Sequence, residues 1–368
     1  MEEFFSEAFL RQVEAHLVPA LPPFLLAAVL AAVLAPVAIL VARRVGLMAL
    51  PEPGRRIHKQ ATPVLGGAVM FLAFATATWL LVHPSRQVAW MLVLAGVATA
   101  VFVLDDRRGL PAWAKLGAEA ALSLVAVVGF GFGIGFLTLP GVGIVQLAPV
   151  VAVPLTLFWL LGMQETVNLL DGVDGLAAGV VAIVALVLVV ASSGRGQEDI
   201  ALVAAALAGA CAGFLLFNFH PARIFMGDSG SHFLGLTVGL VSILGVAKIA
   251  VAFALVVPVV ALAVPILDTA WAIVRRRRRR LSIAHADTQH IHHQLLDFGL
   301  TQPQTCVLFY CATGILGAFG LMLFGHKRIL SVAIVLLIVA VSTVIGERLQ
   351  QTRWRVPAPG LRRLLEER

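Results

Sequence analysis

The chain has 368 residues, 60% hydrophobic and only 13% charged, with a mean hydropathy of +0.96 and a formal net charge of +7. A soluble globular chain carries about a quarter of its residues charged, so this composition excludes a soluble globular domain. Three cysteines, Cys211, Cys306 and Cys311, sit in apolar runs without a CxxC pattern and read as core or lipid-facing thiols.

Residues 1–19 carry Glu2, Glu3, Glu7 and Glu14 against Arg11, the wrong sign for the basic start of a signal peptide. Phe4, Phe5, Phe9 and Leu10 predict an interfacial helix there. A membrane-spanning helix needs about 20 mostly apolar residues. About eleven stretches approach that length: 20–42, 64–83, 87–104, 116–136, 145–163, 175–192, 200–217, 230–247, 249–273, 304–325 and 328–346. The expected fold class is an all-α polytopic integral membrane protein with about eleven transmembrane helices. Residues 20–346 form its transmembrane domain, and 347–368 a basic tail. The longest polar interval between spans is 275–303.

Alternating the loops across eleven spans puts 21 of the 27 lysines and arginines on one side. The positive-inside rule makes that side the cytoplasm, with the N-terminus outside and the C-terminus cytoplasmic. Five polar segments, at 55–67, 105–115, 168–175, 218–231 and 285–293, all fall on this side. They hold Asp105, Asp106, Asp171, Asp174, Asp228 and Asp287, and six of the ten histidines. The six arginines at 275–280 follow an apolar span and read as a stop at the anionic inner leaflet, not as a nucleic-acid patch.

The segments differ in their chemistry. Residues 55–67 hold Arg55, Arg56, His58 and Lys59, then Thr62, Pro63, Gly66 and Gly67, which read either as basic anchoring or as part of a site. Asp105 and Asp106 end a span before Arg107, Arg108 and Lys115. A like-charged pair near low dielectric needs a cation or a proton, unless it is a solvated span end balanced by the arginines. Asn168, Asp171 and Asp174 recur every third residue, so a helix or tight turn would give them one face. Gly172 and Gly175 beside them allow close approach to a ligand. A capped helix start would need only one such acidic residue. Asp228 and Ser229 stand where the next span begins, and a helix N-terminus favours anions, phosphate included. Asp228 could instead be a plain N-cap, and Phe225 a packed aromatic. Mg²⁺ takes one or two carboxylates, waters and phosphate oxygens, which suits Asp228. His290, His292 and His293 form a run too contiguous to close a tetrahedral zinc site alone, and suit phosphate contacts or acid–base work.

In this order the five segments resemble the polyprenyl-phosphate N-acetylhexosamine-1-phosphate transferases, of the glycosyltransferase 4 type, over about residues 20–345. The spacing His290-Ile291-His292-His293 is similar to the branch that loads N-acetylglucosamine 1-phosphate onto undecaprenyl phosphate. The resemblance implies Asp228, with Asp171, as the Mg²⁺ site, Mn²⁺ being an acceptable substitute. It implies Phe225 stacked on uracil, Asp174 reading the uracil edge, and Lys59, Lys115, Asn168 and Asn218 as substrate-binding groups. Asp105, Asp106, Asp171, His290, His292 and His293 become the catalytic set. The implied partners are a UDP-N-acetylhexosamine, a polyprenyl phosphate lipid and the bacterial inner membrane, with a homodimer allowed and no nucleic acid. Glu119 departs from the pattern, which leads one to expect a glutamine there. The hexa-arginine run departs from a less basic approach to the histidines. The alternatives are transfer of phospho-MurNAc-pentapeptide and, in another class, secondary transport of an anion, which the single intraspan Asp268 favours.

Overall fold

The structure, a computed structural model, describes residues 17–50, 61–82, 84–139, 143–193, 197–246, 274, 277–278 and 301–322. Nine helices lie among them: α1 (Leu21–Val45), α2 (Gly66–Leu81), α3 (Arg86–Arg108), α4 (Ala112–Leu124), α5 (Pro149–Leu170), α6 (Leu176–Ser192), α7 (Glu198–Asn218), α8 (Gly227–Val246) and α9 (Gln302–Met322). Each falls on one of the predicted apolar stretches. The chain is therefore mostly helical and polytopic: among the described residues, five helical segments are long and apolar enough to cross a membrane. The stretches at 249–273 and 328–346, the tail at 347–368 and most of residues 1–19 lie outside the described residues.

Local chemistry sets the helix limits. Pro22 stands in the first turn of α1, where a missing N–H is harmless, and Gly46 ends it at φ +75°. Arg43 and Arg44 occupy the last turn of α1, Arg107 and Arg108 that of α3, where the helix dipole favours cations. Ser85 caps α3, accepting from the Val88 N–H.

One expected span was too long. The stretch at 116–136 gives α4 and a π turn over Val125–Gly129, and the helix stops there. Glycines at 129, 131, 133 and 135 remove the helical incentive. An antiparallel hairpin follows, β3 (Phe136–Leu139) against β4 (Gly143–Gln146), with Phe136 opposite Gln146. Helix α5 then starts later than expected and runs to Leu170, so Asn168 is helical. A second small ladder pairs β1 (Met48–Ala49) with β2 (Thr62–Pro63).

Helices α7 and α8 are the central posts. Helix α1 lays a stripe of Ala27, Ala31, Ala35, Ala38 and Ala42 against α7. Gly209 and Gly213 let the two backbones touch, since a Cβ at either would run into the backbone of Phe24 or Ala28. Such small-residue seams drive helix association where lipid removes the hydrophobic incentive. Helix α8 packs against α3 and α5, and α6 against α7 and α9. Helix α6 is apolar on all sides and almost wholly buried, as such a helix must be.

Candidate active site

The chain alternates through the bundle, so the C-termini of α1, α3, α5 and α7 meet the N-termini of α2, α4, α6, α8 and α9 at one end. Hydrogen bonds knit that end together. The Gly66 and Gly67 N–H groups donate to the carbonyls of Phe225 and Met226, each at 3.0 Å, and the Phe225 N–H donates to the Pro63 carbonyl at 2.8 Å. The Gly175 N–H donates to Asn218 Oδ1 at 3.1 Å, and the Ser231 hydroxyl to Asn168 Oδ1 at 3.1 Å.

Asp105 and Asp106 are neighbours with different partners. Asp106 reaches across to α8, where its carboxylate accepts from the backbone N–H groups of Asp228 at 2.8 Å and Ser229 at 3.2 Å. It thus caps a helix that is not its own. Gly227, at φ +69°, makes room for it: a Cβ there would sit 2.6 Å from both Asp106 oxygens. Asp105 is buried, accepts from the Leu110 N–H at 2.5 Å and pairs with the Lys115 ammonium at 2.7 Å. Lys115 also grips the Asp228 carboxylate. One ammonium therefore bridges two carboxylates from α3 and α8 at the positive end of α8, and Asp228 keeps its side chain 30% exposed.

Asn168, Asp171 and Asp174 do not share one face. Helix α5 ends at Leu170, Asp171 is its C-cap, and the chain reverses into α6 at Gly175, φ +83°. Asp171 stays with the carboxylates. The protein packed around it, then the negative charges of Asp228, Asp106 and Asp174, push its carboxyl well above the usual carboxylate range, although part of its surface remains open. Asp174 turns inward and is 4% exposed, with Oδ2 2.9 Å from His220 Nδ1 and 3.1 Å from the Ala222 N–H. Asn218 is also occupied, since its Nδ2 donates to the Ile224 carbonyl at 3.0 Å. These two side chains shape the loop before α8 rather than opening towards a ligand. Phe225 leaves its ring half-exposed beside them. Lys59, His290, His292 and His293 lie outside the described residues.

The structure thus gathers Asp105, Asp106, Lys115, Asn168, Asp171 and Asp228 at one end of the bundle. Beside them, a cleft of about 840 Å³ runs between α1 and the loop before α8, lined among others by Arg43, Thr62, His220, Arg223 and Gln302. Three further polar residues had no signal in the sequence: Ser231, whose hydroxyl donates to the Asp228 carbonyl, His220, which pairs with the Asp174 carboxylate, and Gln302, whose Oε1 accepts from the Asp174 N–H. Among the described residues, no three His, Cys, Asp or Glu side chains converge closely enough to hold a metal ion by themselves. Mg²⁺ requires no such cage; it keeps several waters and uses one or two carboxylates with phosphate oxygens. The all-oxygen, partly exposed pair of Asp228 and the crowded Asp171 fits that demand.

Residues 88–246 match glycosyl transferase family 4. The chain is 30% identical over 308 residues to a probable undecaprenyl-phosphate N-acetylglucosaminyl 1-phosphate transferase of Bacillus subtilis, covering 83% of this chain and 86% of that one. It is 36% identical over 311 residues to a decaprenyl-phosphate N-acetylglucosaminephosphotransferase of Mycolicibacterium smegmatis, covering 76% of each. A phospho-N-acetylmuramoyl-pentapeptide-transferase of Moorella thermoacetica is 33% identical over 322 residues, 82% of this chain and 97% of its own. These matches span the carboxylate-bearing helix ends and the bundle that holds them, and the chain belongs to glycosyl transferase family 4.

Proposed function

We propose that this protein transfers N-acetylhexosamine 1-phosphate, with N-acetylglucosamine as the sugar, from a UDP-sugar to undecaprenyl or another polyprenyl phosphate, releasing UMP. The observation that carries this reading is the Asp105–Lys115–Asp228 bridge at the capped start of α8. The relatives named for this reaction support it. In the reaction, an oxygen of the lipid phosphate attacks the sugar-bearing phosphorus, the bond to the UMP oxygen breaks, and UMP leaves with that electron pair. Such transfers ask the protein mainly for positioning and charge neutralisation.

Each group has a part in this reading. Lys115 and the positive end of the α8 dipole offset the phosphate charge. Asp106 holds that start in place through the Asp228 and Ser229 backbone. Asp105 fixes Lys115. Mg²⁺ on Asp228 and Asp171 would supply further neutralisation of the diphosphate. Phe225 offers its ring to the uracil, with Lys59 beside the nucleoside, while Asp174 and Asn218 hold the loop that carries Phe225. His290, His292 and His293 attend the sugar phosphate. The excess of lysine and arginine on the loops at this end supports a cytoplasmic site, and the relatives support a bacterial inner membrane as its setting. The product is the first lipid-linked intermediate of a cell-envelope glycan.

The test is UMP release from UDP-N-acetylglucosamine by purified protein, which should require both polyprenyl phosphate and Mg²⁺. Asp228→Ala should lower turnover by on the order of a thousandfold, the scale of losing an electrostatic stabiliser of a transition state. Near-normal turnover in that variant removes Asp228 from the mechanism. The Moorella relative motivates a second donor, UDP-MurNAc-pentapeptide. Preference for it would reassign the sugar and leave the reaction class standing.

A further inference from the structure

Four residues along each helix from the site lies a second layer. Lys115 leads to Glu119, Asn168 back to Gln164, Asp228 on to His232 and Asp106 back to Phe102. Four residues of α-helix rise about 6 Å and return to nearly the same face. This layer is inside the bundle: Glu119 is 1% exposed, and Gln164 and His232 not at all.

The layer is polar, and its hydrogen bonds are incomplete. The His232 ring stacks on Phe102 with centroids 3.9 Å apart, and its Nδ1 lies 3.5 Å from Glu119 Oε1. Gln164 Nε2 donates to Ser123 Oγ and to the Leu160 carbonyl, each at 3.2 Å. Both ring nitrogens of His232, Glu119 Oε2 and Gln164 Oε1 lack a hydrogen-bond partner among the described residues. Glu165, from α5, brings a second carboxyl within hydrogen-bonding reach of Glu119. Glu165 is half-buried, whereas Glu119 is enclosed by the bundle. Ionised carboxylates are acceptors only, and two of them brought together out of bulk solvent hold together across a proton.

We propose that Glu119, Glu165 and His232 form an internal proton-binding site, one helical turn beneath Lys115, that sets the charge of the reaction floor. With one proton held, the acid pair carries a single negative charge and supports the Lys115 ammonium from below. When that proton is lost, two negative charges stand under the place where anionic phosphates must bind. The groups around the pair are Lys115 on its own helix, Asp228 and the neutral His232 ring on α8, and Asp105 on α3, whose charge reaches His232. Glu119 and Glu165 are positioning residues in this scheme; they act through Lys115 and touch no substrate. The kinetic consequence rests on the proposed function, whereas the proton site does not.

Two measurements on the full-length protein in lipid nanodiscs test this. In infrared difference spectra without substrate, the native protein should show protonated-carboxyl C=O intensity at neutral pH, with one component lost in both Glu119→Gln and Glu165→Gln. Absence of that intensity from the native protein, or undiminished intensity in either variant, overturns the proposal. In UMP release against pH, the alkaline limb of the native profile should move up by on the order of one pH unit in Glu119→Gln, because the pair can no longer become doubly charged. Superimposable profiles overturn the link to Lys115. A protein that shows this component and releases no UMP keeps the proton site and loses only the transferase reading.

Discussion

At the scale of single residues, the site separates side chains that stay partly exposed from those that hold the loops. Lys115 and Asp228 belong to the first group, with Asp228 partly exposed. Asp174 and Asn218 belong to the second, since both spend their polar atoms on neighbouring backbone or on His220. Phe225 is the test of the division. Its backbone is locked to Pro63 and Gly66, so replacing its side chain should leave the loop in place. Base-on-aromatic stacking is worth about 1–3 kcal/mol, so Phe225→Ala should raise KM for the UDP-sugar about tenfold with kcat little changed. Steady-state kinetics decide it: an unchanged KM removes the stacking role.

At the scale of elements, the start of α8 is built from three separate pieces of chain. The strap at residues 62–67 pairs with Phe225 and Met226, Gly227 makes the turn, and Asp106 caps the first N–H groups from α3. Asp106→Ala should therefore act on α8 as well as on the charge of the site. Losing a cap typically lowers stability by about 1 kcal/mol. We expect a lower Tm together with a loss of activity that Asp106→Asn partly restores, because the amide oxygen can still accept. Equal loss in both variants with an unchanged Tm would mean that Asp106 acts by its charge and not as a cap. Much of this element level was legible in the sequence. The apolar stretches gave the described helices, and the carboxylates at their ends announced a shared surface. The hairpin at 136–146 was not legible, because its alternating glycines sit inside an otherwise apolar run. Nor was the split between Asp105 and Asp106, or that among Asn168, Asp171 and Asp174. Which way adjacent carboxylates turn depends on what another helix presents, and sequence spacing carries no record of that.

At the scale of the whole molecule, the alternating helices put the carboxylates at one end and the β3–β4 hairpin at the other. Trp113, 78% exposed in the first turn of α4, lies at the site end. The proposed function requires this end to be cytoplasmic, and that orientation can be checked without any substrate. Arg108 is exposed at the site end and Gln87 at the opposite end, on the same helix. In a chain with Cys211, Cys306 and Cys311 replaced by serine, Arg108→Cys and Gln87→Cys each add one thiol. A membrane-impermeant maleimide added to intact cells should label Gln87→Cys alone, and added to inside-out vesicles Arg108→Cys alone. The reversed pattern would place the carboxylates outside, beyond the reach of a cytoplasmic nucleotide sugar. Labelling of both from one side would mean that α3 does not cross the bilayer. Because α3 also supplies Asp105 and Asp106, that result would undo the common end on which the site is built.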